Sequence, residues 1–163
     1  MSCYYRRKPY LRLRNYNYSG NGYYFITICT QYRLNLFGEI RNNKIVLSSA
    51  GKMINNWYLS TRHKFKEIAL DKYVIMPNHI HGIIIINSKE KKNSLSKIIQ
   101  WFKTMTTNEY IRGVKEKRYK PFEKRLWQEN YHDHIIRDEK DYMRIQKYII
   151  ENPILWNRDY YNK

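Results

Sequence analysis

Tyr73-Val74-Ile75-Met76-Pro77-Asn78-His79-Ile80-His81-Gly82-Ile83-Ile84 is the stretch on which the fold turns. On either side of Pro77-Asn78 the chain is apolar-rich, over Glu67 to Met76 and Ile80 to Asn87. Pro-Asn is turn chemistry, so the segment reads as two strands folded back on each other. A link this short cannot carry a parallel crossover, which points to an antiparallel sheet. Alternation along the second strand sends His79 and His81 to one face and Ile80 to the other. Two imidazoles converging on one face can bind a metal. Taken alone, however, His-x-His is more often a pair of ordinary surface or core histidines.

Working outward, Tyr23-Tyr24-Phe25-Ile26-Thr27-Ile28-Cys29-Thr30 is β-branched and aromatic enough for a buried strand. Leu36 to Ile40 and Lys44 to Leu47, around Arg41-Asn42-Asn43, read as a hairpin. Ser48 or Ser49 can cap a helix running to about Leu59, with Met53, Ile54 and Trp57 on one face. Ser94 opens a helix in which Leu95, Ile98, Ile99, Phe102 and Met105 repeat helically. Residues 115–125 are basic and hold Pro121, as an exposed loop would. Tyr131 to Ile136 is a short segment before a last helix from about Asp138 to Ile150, acidic at its start as the helix dipole prefers. Pro153 ends that helix nearby. The expected fold is α+β, an antiparallel sheet with helices on one face, in one domain spanning residues 1–163.

Lys plus Arg number 31 against 14 Asp plus Glu, a formal charge of +17, and 17 tyrosines dominate an aromatic content of 16%. A polyanionic partner fits the charge, and rings offer stacking faces for unpaired bases, although a Lys-rich solvated surface and core tyrosines are the plainer explanation. Residues 1–20 carry Arg6, Arg7, Lys8, Arg12 and Arg14 among tyrosines, with no acid, as a basic arm that orders on DNA would. Cys3 and Cys29 are too few for a disulfide framework or a four-thiolate zinc site. No apolar run approaches a membrane span, so no membrane partner is expected, and the location expected is the cytoplasm, at the nucleoid.

Tyr148 and Asn152 lie four residues apart at the end of the last helix and can share a face, although a core ring and a C-cap residue would look the same. Together the strings become specific. Tyr73 to Ile84 resembles the histidine-hydrophobic-histidine motif of IS200-like transposases, the single-tyrosine members of the HUH endonuclease superfamily. Tyr148-Ile149-Ile150-Glu151-Asn152-Pro153 resembles the tyrosine motif of their branch called REP-associated tyrosine transposases. The likeness continues, in order, through Tyr24 to Thr30, Leu36 to Ile40, Gln100-Trp101-Phe102-Lys103 and Trp127-Gln128 through Arg137.

That resemblance implies a ferredoxin-like fold, His79 and His81 as metal ligands, Asn152 as a third ligand and Tyr148 as the nucleophile. The better-known insertion-sequence relatives have Gln at the third position. His134, in His132-Asp133-His134, matches a recurrent family histidine with a supporting role. Two imidazoles and an amide oxygen carry no charge, so they should hold Mg²⁺ or Mn²⁺ loosely until phosphate oxygens join. The implied activity is cutting and joining of single-stranded DNA beside hairpins such as REP-like repeats, through a 5′-phosphotyrosine. The alternative is a hairpin DNA- or RNA-binding protein that does not cut. A hydrolytic zinc enzyme is disfavoured, because no acidic or cysteine ligand set is evident beside the histidines. Relatives on mobile insertion sequences are dimers that exchange tyrosine helices, whereas the REP-associated branch resembles monomers; a monomer is expected, with a dimer as the alternative.

Overall fold

The computed structural model of the protein describes residues 21–87 and 93–162. The arm residues Arg6, Arg7, Lys8, Arg12 and Arg14 lie outside the described residues. Among the described residues six strands and three α-helices follow in the order β1 (Gly22–Cys29), β2 (Gly38–Arg41), β3 (Lys44–Leu47), α1 (Ser49–Lys64), β4 (Ile68–Ile75), β5 (His79–Ile86), α2 (Leu95–Lys115), β6 (His132–Ile136) and α3 (Glu139–Glu151). The main sheet has the order β4-β5-β1-β6, and every neighbouring pair is antiparallel. In chain order this is two interleaved β-α-β units, β1-α1-β4 and β5-α2-β6, which is the ferredoxin-like arrangement. β2 and β3 form a separate two-stranded ribbon. Its turn residues Asn42 and Asn43 both have positive φ, as a two-residue hairpin turn requires.

Each helix begins where a short polar side chain offers a cap. Ser48 Oγ accepts from the Gly51 amide at 3.1 Å, Ser94 Oγ from Lys97 at 3.3 Å, and Asp138 Oδ1 from Asp141 at 2.8 Å. α1 runs to Lys64, five residues beyond the expected Leu59. Nothing in Ser60-Thr61-Arg62-His63-Lys64 breaks a helix, and its basic last turn suits the dipole.

The sheet separates two cores. Tyr24, Ile26 and Ile28 of β1 and Ile80, Ile84 and Ile86 of β5 face α1 and α2. Gly82 belongs to that face because a Cβ there would stand 2.2 Å from the Tyr58 hydroxyl. The alternate residues, Phe25 and Ile83, pack with Ile136 against Ile145 and Ile149 of α3. The expectation of helices on one face therefore holds for α1 and α2 only; α3 covers the other side. The reason is physical: both faces of β1 and β5 are apolar at mid-strand, and the second needs its own cover. Burying Ile145 and Ile149 there contributes about 1.5–3 kcal/mol each. His79 and His81 stand on this second face.

Candidate active site

The β4–β5 turn holds His79 rigidly at the start of its strand. The Pro77 carbonyl accepts from the amides of Leu36 and Phe37, each at 2.9 Å, and the Asn78 carbonyl accepts from Thr30 N at 2.9 Å and Thr30 Oγ1 at 3.1 Å. Antiparallel register then sets Cys29 opposite His79 and Thr27 opposite His81.

The Asn78 amide fixes which nitrogen of His79 carries the proton. Asn78 Nδ2 donates to the carbonyls of Arg33, at 3.2 Å, and Tyr161, at 2.8 Å. Its Oδ1 is therefore an acceptor, and His79 Nδ1, 2.7 Å away, must donate to it. The His79 Nε2 lone pair is left directed into the site, the arrangement that orients histidines toward metals. His81 is held too, its Nδ1 lying 2.8 Å from Thr27 Oγ1, a hydroxyl that can donate or accept. Its Nε2 lies 3.4 Å from the Tyr148 hydroxyl. The imidazole rings are 4.4 Å apart, centroid to centroid.

α3 brings the tyrosine and the asparagine. Ile145, Ile149 and Asn152 recur on its inner face, and Tyr148 sits beside them with its ring edge-on to Phe25 at 6.0 Å. Both edge strands hold the helix. Asp71 of β4 accepts from the Tyr142 hydroxyl and, at 2.8 Å, from Gln146 Nε2. On β6, His134 Nε2 lies 2.6 Å from Asp141 Oδ2. His134 thus contacts the tyrosine helix. Tyr142 likewise packs toward the sheet, against Tyr23, less than two turns from Tyr148.

Burial dominates the electrostatics. His79, His81 and Asn152 are 0%, 1% and 1% exposed. Desolvation, helped by neighbouring His81, pulls the His79 pKa well below its usual value. Desolvation likewise brings His81 down to about 3. Both rings are neutral at pH 7, as metal ligation needs. The C-terminal segment adds a residue that sequence reasoning missed: Asp159, whose Oδ2 lies 3.8 Å from His79 Nε2. Burial raises its pKa. Ligand atoms of His79, His81 and Asp159 all fall within 4.8 Å of one another. His79 Nε2, Asn152 Oδ1 and Asp159 Oδ2 are buried with no hydrogen-bond partner among the described residues. Two buried acceptors facing each other across 3.8 Å, with Asn152 Oδ1 unpartnered as well, are costly unless a cation sits among them, so this donor set fits a hard divalent ion. The expectation of no acid beside the histidines is corrected by Asp159.

The segment also roofs the site. The Tyr161 ring packs on His79 at 4.7 Å and on His81 at 5.5 Å. Arg33 Nη1 donates to the Tyr160 carbonyl at 2.9 Å, and its guanidinium lies over the Tyr160 ring at 4.6 Å.

The sequence profile of the family described as "Transposase IS200 like" matches residues 18–152, which include His79, His81, Tyr148 and Asn152. The chain belongs to the IS200-like transposase family. An uncharacterized protein of Haemophilus influenzae is 38% identical over 163 residues, covering 91% of this chain and 89% of the relative. A second protein of that organism, provisionally named a REP-associated tyrosine transposase, is 28% identical over 143 residues, covering 85% of this chain and 73% of its own length. Among solved structures, a REP-associated tyrosine transposase bound to a REP hairpin matches with a TM-score of 0.61 at 19% identity, over 98% of this chain and 76% of that one. A provisionally described transposase of Deinococcus radiodurans R1 matches with a TM-score of 0.55 at 15% identity, over 87% and 96%. These likenesses show that the α+β, ferredoxin-like fold is the one those transposases have. IS200-like membership makes DNA cutting and joining the family's activity. No helix among the described residues is long and apolar enough to cross a membrane.

Proposed function

We propose that the protein cuts and rejoins single-stranded DNA next to hairpins through a covalent bond to Tyr148. The convergence of His79, His81, Asn152 and Tyr148 on one buried point carries this reading. His79, His81 and Asn152 would hold Mg²⁺ or Mn²⁺, which when bound polarises a phosphodiester and stabilises a departing oxygen. The chain's own residues do the rest. Asn78 and Thr27 keep the two Nε2 atoms turned inward, and α3, held by Asp71 and His134, presents the phenol of Tyr148. The Tyr148 oxygen attacks phosphorus, the bond from phosphorus to the 3′ oxygen breaks, and a 5′-phosphotyrosine forms. The proton lost by the phenol is balanced by the one gained at the released 3′-hydroxyl. Because the ester's energy is conserved in the adduct, a second 3′-hydroxyl can reverse the step and join strands.

The partner proposed is hairpin DNA of the REP type. It draws support from the +17 charge and the basic arm, and from the hairpin bound by the structurally similar transposase. The test is a 5′-extended hairpin oligonucleotide with Mn²⁺, resolved on a denaturing gel. Wild-type protein should give a covalent adduct that Tyr148→Phe and excess chelator both abolish. An adduct formed in full by Tyr148→Phe would remove the nucleophile from this reading, and one formed in full under chelation would remove the metal.

A further inference from the structure

Trp156–Arg158 and Tyr160–Asn162 form two short 3₁₀ turns beyond the residues that the family profile matches. They place an acid where that profile assigns nothing. We propose that Asp159 is a ligand of the same cation as His79 and His81, holding it in the DNA-free protein and giving way to the DNA phosphate. This rests on the metal site proposed above and extends it to a residue outside the family's motifs.

Three observations carry it. First, Asp159 Oδ2 and His79 Nε2 are both acceptors, and they face each other across 3.8 Å with no hydrogen-bond partner among the described residues. Two lone pairs so placed repel unless a positive charge lies between them. Second, the carboxylate is positioned and not merely nearby. Asp159 Oδ1 accepts from the Tyr161 amide at 3.1 Å, so the second oxygen is turned toward the histidines. Arg33 and Asn78 tie the next two carbonyls down, at 2.9 and 2.8 Å. Third, Tyr161 packs on both imidazoles and His79 is wholly buried, so the segment covers the face on which a phosphodiester would meet His79. The segment must leave before DNA reaches the site. Its removal takes away one anionic oxygen ligand and the phosphate supplies another. A hard divalent ion accepts either, so the two compete for it.

The link to α3 permits the movement. Pro153 follows Asn152 directly, and Ile154 and Leu155 are exposed, so the connection itself is held by little apolar burial and the segment's main apolar anchor is Trp156. Closed, the protein keeps its cation under a carboxylate; open, it offers two imidazoles and an amide to DNA.

The test is calorimetric titration of Mn²⁺ into DNA-free protein, with adduct formation on a hairpin substrate measured in parallel at saturating Mn²⁺. Asp159→Asn keeps the shape and removes the charge, and thermal melting checks that it folds. It should bind Mn²⁺ about 10-fold more weakly or worse, yet form adduct faster than wild type, since the roof is held less firmly. His79→Ala should lose both properties. Unchanged Mn²⁺ affinity in Asp159→Asn, beside a loss in His79→Ala, would overturn the Asp159 ligand and leave the metal site standing; a proton shared by Asp159 and His79 would give that result. Unchanged affinity in His79→Ala would overturn the metal site itself. Slower adduct formation in Asp159→Asn at saturating Mn²⁺ would show that the carboxylate stays during cutting, and would overturn its exchange for phosphate.

Discussion

Acidification of the DNA-free, metal-free protein should destabilise it well above the pH at which ordinary carboxylates titrate. The perturbation acts on two buried neutral imidazoles. His81 falls from 6.5 unfolded to about 3 folded, chiefly through desolvation, and His79 is lowered by the same cause. In the window between these values the unfolded chain binds more protons than the folded one, so stability rises with pH and is lost as pH falls. At pH 7 little of the effect is felt. By pH 5 the unfolded state has gained about 2 kcal/mol from His81 alone, from integrating that shift. His79 adds to the loss. Against a typical stability of about 5–15 kcal/mol, this is a large fraction. Asp159 works the other way, because its raised folded pKa means the folded state gains a proton first on acidification. Asp159→Asn should therefore steepen the loss. The assay is urea unfolding by circular dichroism at pH 7, 6 and 5 in chelator. Added Mn²⁺ should raise stability at pH 7 and lose that benefit by pH 5, as protons displace it from the imidazoles. A flat stability between pH 7 and 5, with and without Asp159→Asn, would refute the neutral buried pair.

Four further outcomes are expected. Tyr142→Phe removes the hydroxyl that Asp71 accepts, so unfolding should show a loss of about 1 kcal/mol while adduct formation persists. Tyr148→Phe, whose 3.4 Å contact with His81 is long, should melt within about 0.5 kcal/mol of wild type. Asp71→Ala leaves both Tyr142 and Gln146 without their acceptor. It should cost about 1–3 kcal/mol in urea unfolding and slow adduct formation, because the tyrosine helix is held from one edge only. Deleting residues 1–14 removes Arg6, Arg7, Lys8, Arg12 and Arg14. Hairpin affinity should fall and its dependence on salt should flatten, measured by fluorescence anisotropy across a salt series; an unchanged slope would show the arm idle.

The β4–β5 hairpin and the shared face of His79 and His81 were legible because a two-residue period leaves no choice of side once a strand is granted. The last helix was legible too, through the acids at its start and Pro153 just past its end. Which side of the sheet it covers was not, since helical periodicity says that a helix has a buried face without saying what buries it. Asn78 reads locally as a turn residue; its second task, orienting His79, depends on carbonyls at Arg33 and Tyr161 that are remote in sequence. Asp159 left no signal at all. It lies past the helix, in turns too short to show a period, and meets the histidines only because Arg33 and Asn78 fasten the chain's end across the sheet.

The tyrosine helix is clamped at both edges of its own sheet, and this bears on what mixtures of damaged chains can do. The hydroxyl beside His81 comes from the same polypeptide as the imidazoles it serves. A chain lacking His79 and a chain lacking the Tyr148 hydroxyl are therefore expected not to mend each other when combined; adduct formation restored by the mixture would show that copies trade helices. Nor should an inert Tyr148→Phe chain poison a working one, except by occupying hairpins.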